Sequence, residues 1–277
     1  MNGDPARSPF IGYGDPWFSA DQSASAPETA IRTAALSGAD SLDLRGLPIR
    51  LRGAPVMGGV DSAELAQLPR LPDTAEKLRS IALALGADPT QDVFIGEAAS
   101  EGRVKTMDLS GRKVIAFATH GLVSGDLNGL TQPALALTSP AIVGGVDDGL
   151  LTVGEILGLR LDADWVVLSA CNTASGDGAG AEAVSGLDRA FFYAGARALL
   201  VSNWPIHSQS ATALITDLFR RQAADASLTR AKALRQSMVA MIDGGTYADP
   251  VTGEALFAYA HPIFWVPFTL IGDGGQA

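Results

Sequence analysis

The sequence predicts an α/β domain whose mostly parallel sheet carries helices on both faces. Three observations point there. Short segments are apolar at almost every position, as in VIAFA (114–118), WVVL (165–168) and ALLV (198–201). Strands buried on both faces read this way, because parallel sheets are covered above and below. Between them lie longer segments with apolar residues three or four apart, the spacing of an amphipathic helix. The two kinds alternate along the chain, the order that crossover connections give a parallel sheet.

Residues 1 to about 73 read as irregular, with many of the prolines and turn signals such as GYGDP, LRGLPIRLRGAP and MGGVD. Short strands are expected at 48–52 and around 55–59. This stretch is expected to be an N-terminal extension or linker packing on a main domain of residues 74–277. The regular pattern begins with DTAEKLRSIALALG, where Leu78, Ile81 and Leu85 share a helical face, Asp73 or Thr74 caps the start and Gly86 ends it. DVFIGE follows as a short strand and AASEGRVKTMDL as a second helix. KVIAFATH is a central parallel strand, GLVSGDLNGLTQ a loop and PALALT a short strand.

TVGEILGL is a one- or two-turn helix, with Thr152 and Glu155 spaced as a capping box. ADWVVLSA is the next buried strand. Its loop, CNTASGDGAG, leads into a helix with Val184, Leu187, Ala190, Phe191 and Ala194 on one face. RALLVSNW is a third buried strand, followed by helices near 208–222 and 227–242, the second closed by Gly244 and Gly245. FWVPFTLIG is the last strand.

With 277 residues, 47% of them hydrophobic and 18% charged, the chain has ample material for a core. No apolar run approaches the roughly 18 residues that a membrane helix needs, so no membrane role is expected. A formal charge of −10 argues against nucleic acid, whose phosphates call for a basic face. The start, MNGDPARSPFIGYGDPWF, has no apolar signal core, and a single cysteine forms no internal disulfide. Both point to a cytoplasmic protein.

Ligands of such sheets bind beyond the carboxyl ends of the strands. One buried strand runs into His120 and another into Cys171. If those strands are parallel neighbours, about 4.8 Å apart, the two side chains reach the same rim. A thiol is nucleophilic as thiolate, and a neighbouring imidazolium both stabilises the thiolate and protonates a leaving amine. Acyl transfer also needs donors for the developing oxyanion; the N–H groups of Gly121 and Cys171 are the candidates. Taken singly, a cysteine or histidine at a strand end is more often a structural residue. It is their joint placement that points to catalysis.

The segments VIAFATHG, DGLLTVGEILGLRLDADWVVLSACNTASG, GLDRAFFYAGARALLVSNWPI and HPIFWVPFTLIG resemble a CHAT domain over roughly residues 70–272. That family is a caspase-like group of the clan of cysteine peptidases that includes separase. The resemblance implies a caspase–haemoglobinase-like fold and a His–Cys dyad at His120 and Cys171. It also implies an endopeptidase under regulatory control, often with tetratricopeptide repeats or a partner protein. In caspase-like folds the residue two before the cysteine and the loop after the next strand line the pocket for the residue before the cut. Here those are Ser169 and Ser202, Asn203 and Trp204. They supply no carboxylate or arginine, so Asp126, Asp147, Asp148, Asp177 and Glu182 in nearby loops are alternative sources of a charge. No cofactor is expected. The alternative function is a catalytically silent CHAT-like signalling or scaffold module.

Other motifs rank lower. GDGAGA lies too far from its strand for a dinucleotide fingerprint. GLVSG places Ser124 one position late for a hydrolase elbow. Three scattered histidines and one cysteine offer no metal-ligand spacing. His207 is a rival base or a pocket wall or, more plainly, a surface or capping residue; His261 is structural.

Overall fold

The computed structural model describes residues 7–25, 41–44, 47–50, 62–127, 129–144, 146–169, 179–203, 207–248 and 252–275. The first elements are β1 (Ser8–Gly14), α1 (Ala20–Ala24), β2 (Ser41–Leu44), β3 (Leu47–Arg50), α2 (Asp73–Ala84), α3 (Pro89–Asp92) and β4 (Val93–Ile95). Next come α4 (Glu101–Thr106), β5 (Arg112–Ala118), β6 (Gly121–Leu122), β7 (Ala134–Ala136), α5 (Pro140–Val143), β8 (Leu150–Thr152) and α6 (Val153–Ile156). The remainder are β9 (Trp165–Leu168), α7 (Ala179–Ala194), β10 (Ala198–Ser202), α8 (Ser208–Ala224), α9 (Arg230–Gly244), β11 (Thr246–Ala248), β12 (Ala255–Ala258) and β13 (Phe268–Gly272).

The main sheet has six strands in the order β13-β10-β9-β5-β1-β4. All neighbouring pairs are parallel except β10 with β13, an antiparallel edge. Alternate residues of each strand point to opposite faces, and both faces are covered. On one, Phe10, Val114, Ala116, Val167 and Leu200 pack with Leu78 of α2, Leu214 and Phe219 of α8 and Ala233 of α9. On the other, Ile11, Tyr13, Ile115, Phe117, Val166 and Leu199 meet Val104 of α4, Ile156 of α6 and Leu187 and Phe191 of α7. This double burial is why the strands are apolar throughout.

Residues 8–14, expected as irregular chain in an extension or linker packing on the domain, form an internal strand: β1 pairs with β5 on one side and β4 on the other. Its alternation escapes notice because glycines hold two of its positions. A Cβ on Gly14 would lie 2.7 Å from a methyl of Leu78 and 3.1 Å from the Ala118 carbonyl oxygen, so glycine is what lets α2 sit down on β1. The expected strand at 48–52 is β3, paired with β2 in a hairpin. The one expected at 55–59 lies outside the described residues.

Smaller differences are local. Helix α2 begins on Pro72 with no side-chain cap, and Gly86 follows it at φ +71°. The stretch from 121, expected as a loop, starts with β6, which pairs with β7 and through it with β8. Phe264, expected in the last strand, belongs to a short 3₁₀ turn, and β13 starts at Phe268. The capping box forms as expected, with Thr152 and Glu155 bonding each other's backbone N–H. In α7, Leu187, Ala190, Phe191 and Ala194 are buried on one face; the side chain of Val184 lies outside the described residues. The helix ends at Gly195, where φ is +117° and any Cβ would collide with the Leu161 carbonyl.

Candidate functional site

The chain leaves β1 through α2 to reach β4 on one flank, and leaves β5 to reach β9 on the other. Connections that diverge this way open a crevice beyond the carboxyl ends of the two strands. Asp15 directly follows β1, and His120 comes two residues after β5. Ser169 follows β9, and Ser202 ends β10. The β5–β9 pairing is parallel, with Val114 opposite Trp165 and Phe117 opposite Leu168. The Ser169 N–H continues the ladder, donating to the Phe117 carbonyl at 2.9 Å.

His120 is 1% exposed. Its carbonyl accepts the Ala136 N–H at 2.9 Å, which ties the turn after β5 to β7. The neighbouring Thr119 hydroxyl donates to the Ala136 carbonyl. The ring of Phe18 lies 5.6 Å from the imidazole, centroid to centroid. Nε2 is 2.8 Å from the Pro69 carbonyl oxygen. A carbonyl only accepts, so Nε2 carries the hydrogen in this contact, and in the neutral ring Nδ1 then holds the lone pair.

Pro69 belongs to a segment drawn tightly over the rim. Leu65 and Leu68 are buried with Phe18, Leu122, Leu127 and Leu130. The Gln22 side-chain amide donates to the Leu68 carbonyl at 2.8 Å. Arg70 grips Asp15 with two hydrogen bonds, Nε to Oδ1 at 2.9 Å and Nη2 to Oδ2 at 2.7 Å. The guanidinium also lies 5.8 Å from the centre of the Trp17 ring. Asp15 is buried, and its φ of +45° is the sole left-handed value among the described non-glycine residues. Its N–H donates to Thr74 Oγ1 at 2.8 Å and its carbonyl accepts the Gly96 N–H at 3.1 Å.

Ser169 is buried, and Lys77 of α2 donates to its hydroxyl at 2.5 Å. Ser169, two residues before Cys171 in sequence, is thus held by a buried lysine carried by α2. Ser202 is fully buried opposite Phe268. The Asn203 amide turns to β13, donating to the Pro267 carbonyl at 3.0 Å and to Thr269 Oγ1 at 2.7 Å. Gly121 opens β6 opposite Leu135. Cys171 and Trp204 lie outside the described residues.

The alternative loop acids have local partners. Asp126 accepts the Val123 N–H, and Asp148 accepts that of Leu150. Asp147 accepts from Lys105, which also reaches Glu101 and Glu155, at 2.8 to 3.1 Å. Burial pushes the Glu101 carboxyl up to about 7 within that cluster. The Asp147 and Glu101 end of it lines a cavity of about 480 Å³ with Arg103, Thr106 and Thr138. Asp177 and the side chain of Glu182 lie outside the described residues.

His207 caps α8, its Nδ1 accepting the Ser210 N–H at 3.3 Å. It is buried inside a cage of Tyr247, Phe257, Tyr259 and Phe264, with ring centroids 5.4 to 6.1 Å away. His261 caps the 3₁₀ turn before β13. Among the described residues no three His, Cys, Asp or Glu side chains gather as a metal site, and no helix is long and apolar enough to cross a membrane.

Sequence reasoning alone missed Asp15, Pro69, Arg70 and Lys77. A lysine on the apolar stripe of an amphipathic helix was the visible sign for Lys77, three residues from Thr74 and four from Ile81. GYGDP looked like a turn and hid a strand end. Nothing local marks Arg70.

Two comparisons with known proteins bear on this rim. Over 128 residues, 45% of this chain, the sequence is 34% identical to tetratricopeptide repeat protein 28 of Mus musculus, of which that match covers 4%. The chain thus spans a small fraction of that relative. The model of the CHAT domain, a caspase-like family, matches residues 15–273, from the buried Asp15 after β1 to the end of the sheet's last strand. This chain belongs to the CHAT domain family.

Proposed function

We propose that this chain is a cysteine endopeptidase acting through His120 and Cys171. The observation that carries the reading is the register between β5 and β9. From Val114 to Phe117 each β5 residue pairs with the residue 51 positions further on, Val114 with Trp165 and Phe117 with Leu168. Cys171 is 51 positions after His120. The strand that delivers the imidazole is thus the immediate neighbour of the strand that leads to the sulfur.

The orientation of His120 suits the reaction. With Nε2–H held by the Pro69 carbonyl, Nδ1 is the nitrogen that exchanges protons. The Cys171 thiolate adds to the peptide carbonyl, forming a C–S bond and an oxyanion held by the N–H groups of Gly121 and Cys171. The C–N bond then breaks, and the amine leaves with the proton from imidazolium Nδ1. Water adds to the thioester, giving its proton to His120 as the thiolate departs. Ser169, Ser202, Asn203 and Trp204 line the pocket for the residue before the cut. No cofactor takes part. The protein is cytoplasmic, and its activity answers to a tetratricopeptide-repeat region or a partner protein, a reading that draws on the repeat protein it resembles.

The test is a map of new protein termini in cells carrying the wild type or Cys171→Ala. Termini that appear with the wild type alone support a peptidase; identical maps in the presence of the activating partner overturn it. A second reading, a silent scaffold, draws on the near-complete burial of His120. It predicts that iodoacetamide labels Cys171 no faster than a free thiol between pH 6 and 8, whereas a stabilised thiolate reacts faster toward the acid end.

A further inference from the structure

We infer that Arg70 and Asp15 are positioning residues for His120: their ion pair pins the segment whose Pro69 carbonyl holds the imidazole Nε2–H. This goes beyond the dyad and rests on the peptidase reading only for its consequence to activity.

Pro69 has neither a polar side chain nor an N–H of its own with which to anchor itself. The next residue supplies the anchor. Arg70 presents a two-pronged guanidinium to Asp15, the geometry that makes a carboxylate contact directional as well as strong. Asp15 is itself immobilised: its N–H and carbonyl are both engaged, its backbone is left-handed, and its side chain is 3% exposed. A two-pronged pair to so deeply buried a carboxylate is costly to open, so the segment is held firmly. Trp17 flanks the guanidinium. On the opposite side, Gln22 bonds the Leu68 carbonyl. The Pro69 carbonyl is thus braced from both neighbours in sequence. It stands 2.8 Å from Nε2 at the crevice between β1 and β5.

This arrangement assigns two separate strands to one imidazole. β5 brings His120, and β1 brings the carboxylate that, through Arg70, selects which ring nitrogen bears the hydrogen. In a dyad whose working nitrogen is Nδ1, that selection keeps the lone pair on the catalytic side.

The experiment reads the His120 ring nitrogens by long-range ¹H–¹⁵N NMR at a pH where the ring is neutral. It uses the full chain in wild type, Arg70→Ala, Asp15→Asn, the double variant and Arg70→Lys. In wild type the Nε2–H tautomer dominates. Arg70→Ala and Asp15→Asn each lower the ratio of Nε2–H to Nδ1–H by roughly tenfold, the equivalent of one hydrogen bond. The double variant falls no further than either single one, since the two act as a unit. Arg70→Lys recovers part of the ratio. Cys171 alkylation rates fall in the same order. A ratio unchanged in Arg70→Ala, or additive losses in the double variant, overturns the inference. If Arg70→Ala does not fold, the Arg70→Lys ratio decides in its place: a value equal to wild type overturns the assignment, and an intermediate one is expected. The peptidase reading fails separately, in wild type alone, by an inert Cys171 beside a correctly protonated ring.

Discussion

The ammonium of Lys77, 1% exposed on α2, donates to the Ser169 hydroxyl at 2.5 Å, two residues before Cys171 in sequence. A buried cation this near the strand end favours a negative charge beside it. Lys77→Met is expected to slow iodoacetamide labelling of Cys171 at pH 7 by at least about threefold, a shift of half a unit or more in thiolate stability. Lys77→Arg is expected to keep most of the rate. Equal rates for Lys77→Met and wild type would show that the charge does not act on the thiol.

His120 and His207 are both buried histidines at the carboxyl side of the sheet, but their contacts differ. His120 is held at Nε2 by a carbonyl; His207 uses Nδ1 to cap α8 inside an aromatic cage. His120→Ala is expected to abolish cleavage even in the folded fraction, whatever its cost to stability. His207→Ala is expected to lower stability by about 1–3 kcal/mol through a lost cap and a cavity, with cleavage retained in the folded fraction. Cleavage by His120→Ala that is lost in His207→Ala would reassign the base.

Burial pushes the Asp188 carboxyl up to about 7, and among the described residues its Oδ1 accepts no hydrogen bond. The folded state therefore keeps a proton that the unfolded chain releases near pH 4. Between about pH 4 and 7 the folded form binds more protons, so stability contributed by Asp188 is full below pH 4 and is lost as pH rises to 7. Asp188→Asn is expected to remove that loss and to stabilise the protein at pH 8 by at least about 1 kcal/mol. Urea denaturation at pH 5 and pH 8 checks it: an undiminished pH dependence in the variant contradicts the assignment.

At the opposite rim Asp164 gathers three arginines. Arg7 bonds both its oxygens at 3.0 and 3.2 Å, Arg197 reaches it at 3.1 Å, and Arg230 comes within 3.8 Å. The side chains of Arg7 and Arg230 are 6% and 2% exposed. Asp164→Ala leaves buried cations without this carboxylate and is expected to cost about 3 kcal/mol or more. Cleavage per folded molecule is expected to stay at the wild-type value, because the cluster lies at the far end of the strands. A loss under about 1 kcal/mol would mean that Asp162 and Asp273, the neighbouring acids, carry the arginines alone.

The parts that periodicity determines were legible in the sequence. Val114–Ala118, Trp165–Leu168 and Ala198–Val201 are apolar throughout because both faces of a parallel sheet are buried, and that local fact needs no partner to be read. The Thr152–Glu155 capping box and the length of α8 are of the same kind. So was the placement of His120 and Ser169 at strand ends.

Only the tertiary structure decided which strands are neighbours and what closes over them. β1 escaped because Gly12 and Gly14 interrupt its pattern where α2 presses closest. The last strand was legible, but its antiparallel direction was not, because direction depends on where the chain returns and leaves no mark on composition. The Asp15–Arg70 fork, the Pro69 carbonyl on His120 and the Lys77–Ser169 contact join residues 51 to 92 positions apart. Hydrogen bonds and ion pairs of this span depend on distances that the packed core sets, and side-chain chemistry by itself does not specify them.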